Sequence, residues 1–141
     1  MKFGSHNNYK CATKKQKLKV VKAGCLKILI VDTFIYMFSA IPTVQVLSPK
    51  YPVDYGRTVT LECVVESYPP HTDVTWYRIV NGARNRVVVG NRYSGSTPSS
   101  PSLTIKQAEF NDEGYYVCTA ENAAGEGSSG QTFVDVSGSM Y

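Results

Sequence analysis

From Pro42 onward, apolar and polar residues alternate in short runs broken by turn residues, the period-2 pattern of half-buried β-strands. Residues 43–47 read as a first strand, and Tyr55-Gly56-Arg57 as a turn. Residues 58–65 then alternate, with Val59, Leu61, Cys63 and Val65 on one face. In residues 73–80, Val74 and Trp76 point one way and Tyr77 and Ile79 the other. Asn81-Gly82 is a turn signal, and residues 86–89 follow as a short strand. Leu103 and Ile105 alternate inward, and residues 106–114 form a loop. Next, Tyr116, Cys118 and Ala120 point in, while Tyr115, Val117 and Thr119 point out. Residues 121–130, rich in Gly, Ser and Ala, read as a turn. Residues 131–136 close the series, with Thr132, Val134 and Val136 inward and Phe133 outward. This predicts seven to eight strands over residues 42–137 and no long helix, an all-β fold.

The start of the chain is different. Residues 1–27 are polar and lysine-rich, and an apolar run of 14 residues, 28–41, follows. A bilayer span takes about 20 apolar residues, and this run is shorter, broken by Asp32 and ended by Pro42. Lysines, an apolar run and then a small residue, Ala40, match the layout of a secretory signal peptide, although Phe38 is bulky for a cut after Ala40. Three readings are open for this leader: a signal peptide or signal anchor, a mis-assigned or truncated start, or a structured amphipathic segment. Cys25 precedes the apolar run, so Ala23-Gly24-Cys25 is not a lipoprotein cleavage box, and neither Cys11 nor Cys25 has partners at metal spacing. The expected division is a leader over 1–41, a domain over 42–137 and a tail over 138–141.

Charge follows the same division. Residues 1–41 hold eight lysines against one acid, Asp32, for a net +7; residues 42–141 hold seven Lys/Arg against ten Asp/Glu, for a net −3. The basic balance of the chain therefore belongs to the leader. A nucleic-acid binder needs a basic face on its folded part, so no nucleic-acid partner is expected. Membrane contact is expected only through the leader, if it stays uncleaved.

Cys63, Trp76 and Cys118 stand in order, and Tyr116 lies two residues before the second cysteine, in Asp112-Glu113-Gly114-Tyr115-Tyr116-Val117-Cys118. With Leu103-Thr104-Ile105 upstream and Thr119-Ala120-Glu121-Asn122-Ala123-Ala124-Gly125 downstream, residues 42–137 resemble an I-set domain of the immunoglobulin superfamily. Arg92-Tyr93-Ser94-Gly95-Ser96 is similar instead to variable-type domains, and the cysteine separation of 55 lies between the two lengths. The resemblance implies a Greek-key β-sandwich, Cys63 bonded to Cys118 between its sheets, and Trp76 packed on that bridge. It also implies Leu103 in the core and the Tyr116 hydroxyl tying down the corner before Cys118. At the base it implies an ion pair of Arg92 with Asp112, for which Arg78 competes. Such a bridge contributes roughly 4 kcal/mol and persists in oxidising compartments; a cytosolic domain with both thiols reduced is the alternative. The ends of the domain resemble the joints of multi-domain cell-surface proteins.

Catalytic chemistry is sparse. The two histidines are His6, in the leader, and His71, in a turn that reads as solvated. No nucleophile elbow, phosphate loop or zinc spacing occurs, so no enzyme, metal or cofactor is expected. None of the asparagines begins a glycosylation sequon. By alternation Tyr77, Ile79, Tyr115, Val117 and Phe133 project outward, and in the resembled fold their strands are neighbours. The expectation is one aromatic-aliphatic patch that binds a protein ligand or a second copy. The competing reading makes them strand formers half-covered by neighbours or by an adjacent domain. A second candidate is the loop end, where residues 122–125 would lie beside residues 68–72. The function these features point to is extracellular recognition, in cell adhesion or as the binding module of a receptor, reached through the secretory pathway. An intracellular structural domain of a cytoskeletal protein and a soluble immune-recognition protein are the alternatives.

Overall fold

The computed structural model describes residues 18–23, 26–31 and 34–139, with side chains for 39–139. Cys11, Cys25 and the polar start of the leader lie outside the described side chains. Strands β1 (Leu18–Ala23), β2 (Leu26–Val31) and β3 (Phe34–Phe38) pair antiparallel in that order. The expected apolar run thus divides among β2, β3 and the next strand. No helix among the described residues is long and apolar enough to cross a membrane.

The domain is an all-β sandwich of two layers. In one layer β4 (Ala40–Val46) pairs with β7 (Cys63–Tyr68). The run before β7, β6 (Val59–Leu61), pairs with β11 (Leu103–Ile105), and β11 pairs in turn with β10 (Tyr93–Gly95). The other layer has the order β5 (Lys50–Asp54), β14 (Thr132–Ser137), β12 (Gly114–Asn122), β8 (Asp73–Val80) and β9 (Ala83–Arg86), and β13 (Gly125–Ser128) adds to β12. All its pairs are antiparallel except β5 with β14.

The inward faces meet as expected. Leu61, Cys63, Val74, Trp76, Leu103 and Ile105 are buried, as are Tyr116, Cys118, Ala120, Thr132, Val134 and Val136. Cys63 is bonded to Cys118 and joins the layers. Trp76, the register partner of Cys118, donates its indole N–H to the Pro101 carbonyl at 2.7 Å, so its polar edge is satisfied inside the core.

Several elements differ from the periodic reading. Strand β5 contains Pro52 and carries little alternation; it forms because an edge strand does not need every N–H, and its partner β14 supplies the pairing. The strand expected over 86–89 lies earlier, at β9, because the tight Asn81-Gly82 turn sets the register Val80 to Ala83. The ladder then ends: Val87 N–H still donates to Trp76 at 2.9 Å, but Val88 is 75% exposed. Residues 121–130, expected as a turn, hold the end of β12 and all of β13. Gly and Ser have little strand preference, and pairing with β12 overrides it.

Asp112 organises the base of the sandwich. It sits 2% exposed at the end of a 3₁₀ turn, Phe110–Asp112. Its carboxylate accepts from Arg92 Nη2, from the Tyr93 hydroxyl and from the Glu109 N–H at 2.8 Å. Its main-chain carbonyl accepts the Tyr116 hydroxyl at 2.8 Å. Arg78, the expected competitor, instead donates to the Glu113 carbonyl at 2.7 Å. Burial, followed by donation to Asp112, pushes the Tyr93 phenol up to about 12. Burial raises Tyr116 further still.

Candidate interaction face

Strands β8, β12 and β14 lie side by side, and their alternation presents one set of side chains away from the core. Tyr115 stands in register with Ile79 on one side and Phe133 on the other. Val117 stands in register with Tyr77. The five residues singled out by alternation therefore share one face. The Tyr115 and Phe133 rings meet at 4.9 Å between centroids with a 57° tilt, a geometry favoured by the ring quadrupoles.

Exposure within the patch is uneven. Tyr115 is 49% exposed, and Tyr77, Ile79 and Phe133 are intermediate. Val117 is only 5% exposed although it points outward, and Thr119 is also buried. Alternation sets the direction of a side chain but not what lies over it. Arg84 supplies part of the cover: its guanidinium lies 5.4 Å from the Tyr77 ring and donates to Glu126 at 3.1 Å and Ser128 at 3.2 Å. This arm ties β9 to β13 across the face. On the opposite side Lys50 pairs with Asp135 at 2.7 Å. In register, Lys50, Phe133, Tyr115, Ile79 and Arg84 form one row across five strands. The patch is thus aromatic and aliphatic in the middle and cationic at both ends, with each end cation held by a carboxylate.

The periodic reading missed these end cations. Arg84 was legible in one respect, since the Asn81-Gly82 turn places it opposite Ile79. Lys50 and Glu126 were not, because β5 and β13 carry no alternation signal.

The second candidate region also comes together. Thr72 N–H donates to the Glu121 carbonyl at 2.8 Å, and Asn122 Nδ2 reaches Pro69 at 3.0 Å and Ala40 at 2.7 Å. Asn122 is buried, so it works as a tie inside the loop end. His71, expected to be solvated, is engaged at both ring nitrogens: Nδ1 lies 3.0 Å from Ser67 Oγ and Nε2 2.9 Å from the Pro98 carbonyl. A carbonyl only accepts, so Nε2 donates to Pro98, and Nδ1 shares a hydrogen bond with the serine hydroxyl. Among the described residues, no group of three or more His, Cys, Asp or Glu is arranged to hold a metal ion.

Residues 41–122 match the family model described as immunoglobulin domain. The chain is similar to neural cell adhesion molecule 1 of Bos taurus, 39% identical over 87 residues, which cover 60% of this chain and 10% of that protein. It is also similar to muscle M-line assembly protein unc-89 of Caenorhabditis elegans, 39% identical over 75 residues, which cover 52% of this chain and 1% of that protein. The chain therefore spans a tenth or less of the length of these two relatives. Among solved structures, it resembles a chain from a study of the structural basis for Dscam isoform specificity. That likeness has a TM-score of 0.60 at 26% identity and covers 70% of this chain and 25% of that one.

Proposed function

Because this chain belongs to the immunoglobulin domain family, we propose that it is a protein-recognition module that binds its partner through the β8–β12–β14 face. The observation that carries this reading is the row of Phe133, Tyr115 and Ile79 in register on one face, with Tyr115 half exposed and its ring tilted against that of Phe133. Tyrosine and arginine are enriched at protein interfaces, because a rigid ring or planar guanidinium covers much area at little entropy cost. The partner is a protein ligand or a second copy of the chain. The setting is extracellular, in adhesion or receptor binding, and it is supported by the Cys63–Cys118 bridge and by similarity to a cell adhesion molecule.

The test is a pair of substitutions that place charge in the patch without touching the core. Beads coated with the folded chain are mixed with like beads and with cells, and clustering is scored. Tyr77→Glu with Phe133→Glu abolishes clustering while thermal unfolding stays close to that of the parent. Clustering that survives the double variant overturns the reading. A second reading is supported by similarity to a muscle M-line assembly protein: an intracellular structural module. Free thiols at Cys63 and Cys118 in protein recovered from its native tissue would favour that reading.

A further inference from the structure

The hairpin joining β10 to β11 carries a run unlike the rest of the domain. Ser96-Thr97-Pro98-Ser99-Ser100-Pro101-Ser102 holds five hydroxyl residues and two prolines in seven positions. The fold sorts these hydroxyls into two groups. Ser96 Oγ donates to the Val74 carbonyl at 3.2 Å, and Ser102 Oγ accepts from the Cys63 N–H at 3.1 Å. Both serve to anchor the hairpin.

Its limbs close through Ser96 N–H to the Ser102 carbonyl at 3.0 Å. Gly95, at φ +89°, permits this, since a Cβ there would strike the Ser102 carbonyl. The carbonyls of Pro98 and Pro101 are held by His71 and Trp76. Beyond these anchors, Thr97 and Ser100 bond each other's main chain in both directions, at 3.0 and 3.1 Å, and Pro98-Ser99 forms the tip. Residues 97–100 are exposed. Thr97 Oγ1 bonds only within the tip, accepting from the Ser100 N–H at 3.0 Å and lying 3.4 Å from Ser99 Oγ and from the Ser100 carbonyl. The result is an exposed, internally hydrogen-bonded tip with three hydroxyl residues at the surface.

We propose that Thr97, Ser99 and Ser100 are acceptor sites for O-linked hexosamine. The inference rests on the secretory setting proposed above. Ser/Thr-rich segments interleaved with proline are the composition that carries O-glycans, and here the tip is the exposed part of such a segment. In the transfer, the hydroxyl oxygen bonds to the anomeric carbon of a nucleotide-activated hexosamine. The bond from that carbon to the phosphate oxygen breaks and the nucleoside diphosphate leaves. The hydroxyl proton passes to a base of the transferase. Thr97-Pro98 and Ser100-Pro101 would equally suit a proline-directed kinase. The Cys63–Cys118 bridge favours sugar, because disulfides persist in the compartments of the secretory route. The hairpin belongs to the layer opposite the β8–β12–β14 face, so sugars there leave that face open.

The test expresses the full chain behind an exogenous secretion leader in eukaryotic culture. Protein from the medium is weighed intact, then fragmented by a method that retains side-chain sugars. The expected result is one or more hexosamine increments mapped to residues 97–100. They vanish in the Thr97→Ala/Ser99→Ala/Ser100→Ala variant and persist in the Tyr77→Glu/Phe133→Glu variant. A bare mass, a phosphate-sized increment or sugar mapped elsewhere overturns the proposal. The supplied leader separates this outcome from the question of the chain's own start. Bead clustering by the triple-alanine variant separates it from the recognition reading, which stands if clustering is kept whatever the mass shows.

Discussion

At the scale of single residues, Asp112 gathers several of the domain's polar contacts at one buried position. One buried carboxylate accepts from an arginine, a phenol and a backbone N–H, while its own carbonyl holds Tyr116. Removing it leaves Arg92 to Glu109 and the Gln107 carbonyl and takes away the acceptor of the Tyr93 hydroxyl. Asp112→Ala is therefore expected to lower stability by about 1–3 kcal/mol, the range for leaving a buried hydrogen-bonding group without its partner. Chemical denaturation measures it, and an unchanged midpoint would remove the Arg92–Asp112 pair from the account. Tyr93 adds a pH dependence. Its folded pKa is raised from the ordinary 10.0 to about 12, because burial and its bond to Asp112 favour the neutral phenol. That contribution is complete below pH 10 and is lost as pH rises from 10 toward 12. The expected outcome is that Tyr93→Phe, which cannot ionise, shows a shallower loss of stability than the parent across that interval. Parallel curves would contradict it.

At the scale of elements, β13 is where local preference and tertiary demand disagree most. Gly125-Glu126-Gly127-Ser128 has no strand character, yet it pairs with β12 and lies against β4. Gly127 explains the choice of residue: a Cβ there would fall on the Pro42 carbonyl, which lies too close for any side chain. Gly127→Ala is expected to push β13 off β4 and to cost about 1–3 kcal/mol, as overpacking does elsewhere. Gly130→Ala is the control, since its Cβ would meet nothing within 4 Å. Equal losses at the two positions, read from urea midpoints, would refute the steric account. The same strand carries Glu126, which holds the Arg84 arm across the candidate face. That ion pair is exposed on both sides, so its worth is small, and its effect is to cover Tyr77 more than to stabilise the fold.

At the scale of the whole molecule, one covalent link joins the two layers. Cys63 and Cys118 are 55 residues apart, and cross-linking a loop of that length stabilises by roughly 4 kcal/mol through the unfolded chain. Unfolding by denaturant with and without a reductant is expected to show a loss of that order. A midpoint indifferent to reductant would mean the sandwich stands on packing alone and would suit a reducing compartment equally well.

Much of this molecule was legible in the residues themselves. Alternation around Leu61, Trp76, Tyr116 and Val134 determined which side chains face inward, because in a strand direction depends only on whether a position is odd or even. The Cys63, Trp76, Tyr116 and Cys118 spacing determined the fold family, and the same alternation placed Tyr77, Ile79, Tyr115, Val117 and Phe133 on one face. What only the tertiary structure decided is what each side chain meets. Val117 points outward yet is covered, Arg78 turns to the Glu113 carbonyl and leaves Asp112 to Arg92 and Tyr93, and His71 is held between Ser67 and Pro98. Strands β5 and β13 likewise form only because β14 and β12 supply pairing edges. The physical reason is common to all of these: direction is a local property of the backbone, whereas burial and partnership depend on residues distant in the chain.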